Sequence, residues 1–182
     1  MTTNIPNLLT LLRIVMIPLI VVVYYLPWAH AGIVAAILFA LAGITDWFDG
    51  YLARRLNQTS TFGAFLDPVA DKLMVAAILV MVVDHHGGIW LTLAAIIIIG
   101  REITVSALRE WMSEVGQRHK VAVSSIGKIK TTAQMVSLFF LLYYEPLLGL
   151  PSYQIGFVLL SIAAVLTLWS MIEYLKAAWD EM

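Results

Sequence analysis

Apolar residues run along this chain in six long stretches, each ended by a short polar break. The stretches cover roughly Leu8 to Leu26, Ala31 to Arg54, Phe62 to Val83, Ile89 to Trp111, Ile126 to Tyr144 and Tyr153 to Tyr174. The breaks at Pro27 to Gly32, Asn57 to Thr61, Asp84 to Gly88, Ser113 to Ser125 and Glu145 to Ser152 carry turn chemistry. A helix needs about 20 mostly apolar residues to cross a bilayer, and these stretches are of that order. The pattern therefore predicts an all-α integral membrane protein, a bundle of six transmembrane helices forming a single domain over residues 1–182. Arg13 interrupts the first stretch and no basic region precedes a short apolar core, so that helix is expected to be retained rather than cleaved as a signal.

Composition agrees with the pattern: 61% of the 182 residues are hydrophobic and 13% charged, far from the balance of a soluble domain. The absence of cysteine excludes a disulfide framework and a thiolate metal site, so any metal must bind oxygen or imidazole. No nucleic-acid partner is expected. Short inner loops of membrane proteins are enriched in Lys and Arg. With both termini cytoplasmic, the three outer loops hold Pro27 to His30, Asp84 to Gly88 and Glu145 to Ser152, none with a basic residue. All 11 basic residues then fall in inner loops or within spans. Trp28, Trp90, Trp111, Tyr143, Tyr144 and Tyr153 fall at span ends, as interfacial aromatics do, and His85 and His86 are expected in a solvated outer loop.

The informative residues are the ionisable ones within the spans, because a charge at the centre of a membrane helix costs about 2.5 to 3.5 kcal/mol unless it has a partner. Asp46 and Asp49 follow an apolar run too short to cross a bilayer, so they belong near the inner interface, and Asp67, Asp71 and Lys72 begin the third span at similar depth. Spacings of three and four put each aspartate pair on one helical face. Four converging carboxylates repel unless a cation neutralises them, and hard oxygen ligation suits two divalent cations, Mg²⁺ or Mn²⁺. As isolated residues the same aspartates would read as helix caps or interfacial charges. Gly50, Ala53 and Gly63 lie among them, small enough to allow close helix packing or to leave room for a ligand. A metal-ion or proton transporter would use intramembrane carboxylates too, but it requires ionisable residues through the full bilayer thickness. The outer halves of these spans are nearly bare of charge, so a closed inner pocket fits better.

Read together, Asp46-x2-Asp49-Gly50-x2-Ala53-Arg54-x8-Gly63-x3-Asp67-x3-Asp71 resembles the signature of the CDP-alcohol phosphotransferases at every defined position. The flanking stretches Asn4 to Arg13, Arg101-Glu102 and Gly127 to Gln134 extend the likeness over nearly the whole chain. The resemblance implies a homodimeric six-helix enzyme of the bacterial inner membrane, working among membrane lipid at the cytoplasmic face. It would transfer the phosphatidyl group of CDP-diacylglycerol to glycerol 3-phosphate. Enzymes that make cardiolipin or phosphatidylinositol phosphate share the signature and are the alternative. Carried over by matching position, Asp46, Asp49, Asp67 and Asp71 are metal ligands, with Asp71 also the general base. Asn7, Thr10, Gly50, Ala53, Arg54, Ser60 and Gly63 would meet the nucleotide lipid. An acceptor with its own phosphate needs a second cationic pocket. Arg101, deepest in its span, is the first candidate, with Lys128 and Lys130 beside it; Arg101 could equally pair with Glu102 or Glu110. No nucleophilic Ser or Cys constellation is visible, which favours direct transfer over a covalent intermediate.

Overall fold

The structure is a computed structural model and describes residues 5–55, 61–114, 125–147 and 149–179. Among these residues six helices form: α1 (Ile5–Tyr24), α2 (Ala31–Arg55), α3 (Thr61–His86), α4 (Ile89–Glu114), α5 (Ser125–Tyr143) and α6 (Ser152–Trp179). Their limits fall within a few residues of those expected from hydrophobicity. Among the described residues there is no strand, and the chain is an all-α membrane protein. Among the described residues three helical segments, Asn7–Tyr24, Ile89–Glu114 and Ser152–Lys176, are long and apolar enough to cross a membrane. The apolar part of α2, Ala31–Asp46, is shorter because the aspartates cut it off.

Helix α3 packs against α1, α4 and α5, while α2 is held between α1 and α5, and α6 between α4 and α5. The core is built where these contacts meet, from Ile20, Phe39, Ile78, Val82, Ile98 and Leu138. Large apolar side chains also cover the outside: Val15, Ile96, Ile103 and Val165 are each more than 60% exposed. Such a surface is stable against lipid and not against water. Lipid tails are as apolar as Leu, so burial alone does not hold these helices together, and close packing through small residues contributes instead. Ala35 and Ala36 of α2 and Ala163 and Ala164 of α6 are buried at such contacts. At Gly156 of α6 an added Cβ would lie 2.7 Å from the Leu141 side chain, and the Ser137 hydroxyl donates to the Gly156 carbonyl across the same seam at 2.7 Å.

At the end of the bundle opposite the aspartates, the expectation of a loop at His85 and His86 is corrected, although His85 is exposed as a solvated residue is. Both residues belong to the last turn of α3, and the chain breaks only at Gly87 and Gly88, whose φ values of 66° and 90° suit glycine. His85 packs on Tyr144 with ring centroids 4.7 Å apart. His86 lies 4.9 Å from Tyr153 and within hydrogen-bond distance, 2.9 Å, of the Leu141 carbonyl. His85 stays exposed and His86 half-buried, and their amphipathic rings meet partners just past the end of α5 and on α6. Tyr25 closes the same end by donating to Asp84 at 2.7 Å.

Gly32 tests this packing, because an added Cβ would lie 2.7 Å from the Leu142 carbonyl oxygen and overlap the Tyr144 ring. Gly32→Ala is expected to cost about 1 to 3 kcal/mol and to lower the thermal midpoint in detergent by several degrees, measured by intrinsic fluorescence.

Candidate active site

The site begins with helical periodicity on α1. Asn7, Thr10 and Arg13 recur every third residue and are all buried, on the face that continues through Ile20 and Tyr24 into the core. An arginine in an apolar helix must find acidic partners, and Arg13 finds three. Its Nη1 lies 2.6 Å from Asp46 Oδ1 on α2 and donates to Asp71 Oδ1 on α3, while Nη2 lies 3.5 Å from Asp67 Oδ1. The Thr10 hydroxyl also donates to Asp67 Oδ1. Arg13 is 4% exposed at its side chain whereas Asp46, Asp67 and Asp71 are 45%, 43% and 52% exposed. The guanidinium thus forms the floor of the cluster and the carboxylates its open rim.

The three aspartates singled out by their spacing are therefore brought together. Asp49, Gly50, Ala53 and Arg54 continue α2, but their side chains lie outside the described residues, as does Ser60 altogether. Gly63 is buried near the start of α3. Arg13 itself stood in the sequence without a role. Its signal was the lone charge within the first apolar stretch, three residues after Thr10.

Among the described residues no three acidic or imidazole side chains form a ready metal-holding group. The donor set nonetheless fits hard divalent cations: all the converging atoms are carboxylate oxygens, and two of them, from different helices, already close on one cationic nitrogen.

Two cavities meet at this cluster. The first, of about 230 Å³, is lined by Arg13, Gly43, Asp46, Asp71, Thr131 and Met135. It shares Gly43, Thr131 and Met135 with an apolar groove of about 480 Å³ between α2 and α5, walled by Phe39, Ile44 and Phe139. The second cavity, about 310 Å³, lies on the α4 side of α3 and is lined by Asp71, Lys72, Arg101, Glu102, Ser106 and Arg109. Asp71 is the wall common to both. In the second cavity Arg101 Nη1 pairs with Glu102 Oε1 at 2.9 Å, and Lys72 Nζ donates to Ser106 Oγ at 2.5 Å. Lys130 is buried behind this wall, its Nζ 3.4 Å from the same Glu102 oxygen. The Lys128 side chain lies outside the described residues. Lys72 of α3, which the sequence left without a role in the site, and Arg109 of α4, one of the cations available for an acceptor pocket, both line the cavity.

Chemically, the arrangement offers a carboxylate cluster able to gather cations, an apolar groove opening from it, and a basic chamber on the far side of one shared aspartate. Residues 3–169 match the family model described as CDP-alcohol phosphatidyltransferase. A relative from Salmonella choleraesuis is 58% identical over 182 residues, covering 100% of this chain and 98% of its own length. Relatives from Yersinia enterocolitica and Yersinia pestis are 57% and 55% identical over 185 residues with the same coverage. Each of the three is named CDP-diacylglycerol–glycerol-3-phosphate 3-phosphatidyltransferase. Matched over most of its length by the family model and over its full length by these relatives, the chain belongs to the CDP-alcohol phosphatidyltransferase family.

Proposed function

We propose that this enzyme transfers the phosphatidyl group of CDP-diacylglycerol to sn-glycerol 3-phosphate, releasing CMP and forming phosphatidylglycerophosphate. The full-length identity to relatives of that name supports the acceptor, and the position of Asp71 between two chemically different cavities carries the mechanism. The donor's diphosphate belongs with the carboxylate cluster, and its acyl chains match the adjoining groove lined by Phe39, Ile44 and Phe139. Asn7, Thr10, Gly50, Ala53, Arg54, Ser60 and Gly63 are the proposed contacts to the nucleotide lipid. The acceptor's phosphate belongs in the basic chamber with Arg101, with Lys128 as a further cation and Lys130 adding its charge from behind Glu102.

From that chamber the acceptor hydroxyl reaches toward Asp71. As the hydroxyl oxygen bonds to the lipid-bearing phosphorus, Asp71 takes its proton and the bond from that phosphorus to the CMP oxygen breaks. General-base assistance of this kind is worth about 10² to 10⁴ in rate. The family generally depends on divalent metal. Asp46, Asp49, Asp67 and Asp71 are the proposed ligands of two Mg²⁺ or Mn²⁺ ions, which when bound neutralise charge on the diphosphate. Arg13 and Thr10 hold Asp46, Asp67 and Asp71 in register before substrate arrives.

Asp46→Asn, Asp49→Asn and Asp67→Asn are each expected to abolish CMP release, and chelation is expected to abolish it in the wild type. Near-normal activity in any one variant, with metal still required, removes that residue from the ligand set.

Because the outer loops lack Lys and Arg, the proposed orientation puts both termini and the segment 113–125 in the cytoplasm. The chain has no cysteine, so single-cysteine variants report cleanly. A cysteine beside His86 is expected to react with an impermeant thiol reagent in intact cells and one within 113–125 to resist it. The reverse pattern overturns the orientation.

A further inference from the structure

Arg101 and Arg109 are two helical turns apart on α4 and line the same basic cavity. Two guanidiniums in one chamber repel, and each has a long side chain whose ordering costs entropy. Something outside the chamber must hold them. The structure places one ring of α6 against both: the Arg101 guanidinium carbon lies 5.6 Å from the centroid of Tyr174 and that of Arg109 lies 5.2 Å from it. Arg109 Nη2 also donates to the Tyr174 hydroxyl at 2.9 Å. Tyr174 is buried, packed with Val105 and Met112 of α4 in a small cluster apart from the main core. Its position there is set by packing rather than by the arginines alone. Ser170, one turn earlier on α6, meets Arg101 Nη2 at 3.4 Å. Glu102 fixes Nη1 of the same arginine.

We infer that Tyr174 is a positioning residue for the acceptor, a brace through which α6 keeps Arg101 and Arg109 aimed together into the chamber beside Asp71. The negative faces of its ring offset the repulsion between the two cations, and its hydroxyl orients one of them. The paired forks then suit a phosphate monoester, which carries a charge of about −1.5 to −2 at neutral pH. Arg101 and Arg109 each keep a buried Nε–H with no acceptor among the described residues. A neutral alcohol brings no negative charge to this pair and accepts only weaker hydrogen bonds from it, so the brace supports discrimination in favour of a phosphorylated acceptor. The inference rests on the reading of this chamber as the acceptor site.

The test measures CMP release by the full-length enzyme, varying glycerol 3-phosphate at saturating CDP-diacylglycerol and Mg²⁺, and then the reverse. Tyr174→Leu, which removes ring and hydroxyl, is expected to raise KM for glycerol 3-phosphate about 3- to 30-fold and to leave KM for CDP-diacylglycerol unchanged. Tyr174→Phe keeps the ring and loses only the Arg109 bond, so it is expected to recover most of the affinity, with KM for the acceptor raised about 3-fold. This near-isosteric variant decides the matter if Tyr174→Leu does not fold. An unchanged acceptor KM in either variant, or a parallel rise in both KM values, overturns the brace. Arg101→Ala and Arg109→Ala, in the same assay, separate the two ideas. If they raise the acceptor KM while the Tyr174 variants do not, the brace fails alone; if they leave it unchanged, the acceptor chamber itself is wrong.

Discussion

Three carboxylates cannot stay within reach of one another in a low-dielectric setting unless positive charge stands among them, and in this protein Arg13 supplies that charge from below. The consequence is architectural as well as chemical. Asp46 comes from α2, Asp67 and Asp71 from α3, and Arg13 from α1, so a single guanidinium ties three helices at one point. Its side chain is almost fully buried while its partners stay half exposed. The guanidinium is therefore protected from competing water, and the carboxylate rim stays open to ligands. Charge that would be costly inside an apolar bundle becomes the feature that fixes how the bundle closes at that end.

The opposite end is held by different physics. There, Tyr24, Tyr144, Tyr153, His85 and His86 pack ring against ring, and the polar atoms of these amphipathic side chains meet only a few partners. Between the two ends, small residues such as Ala35, Ala36 and Gly156 let helices approach closely. Aromatic packing and close contact need little charge at that end, and ionisable groups concentrate around the aspartates instead.

Much of this could be read from the chain by periodicity. The six apolar stretches became six helices with nearly the expected limits, because breaks rich in Gly, Pro and polar residues stop helices locally. Asp46, Asp67 and Asp71 converge as their spacing and depth imply. What could not be read was which residues of distant segments meet. Arg13 and Asp71 are far apart in the chain, as are Lys130 and Glu102, and nothing local announces such pairs. His85 and His86 looked like loop because two histidines before two glycines carry a turn signal, yet packing against α5 and α6 extended the helix through them. Lys130 was expected among the acceptor cations; it stands behind Glu102, one layer back from the chamber wall.

Helix α3 acts as a partition. On one side it meets α1, and the chamber there is completed by α2 and α5; on the other it meets α4, which α6 supports. The two chambers touch through Asp71 and have no other lining residue in common among the described residues. Substitutions on α4 and α6 can therefore reshape one chamber while the carboxylate cluster and the apolar groove keep their walls. A protein divided in this way can exchange one reaction partner for another over evolutionary time without rebuilding the machinery that activates the first.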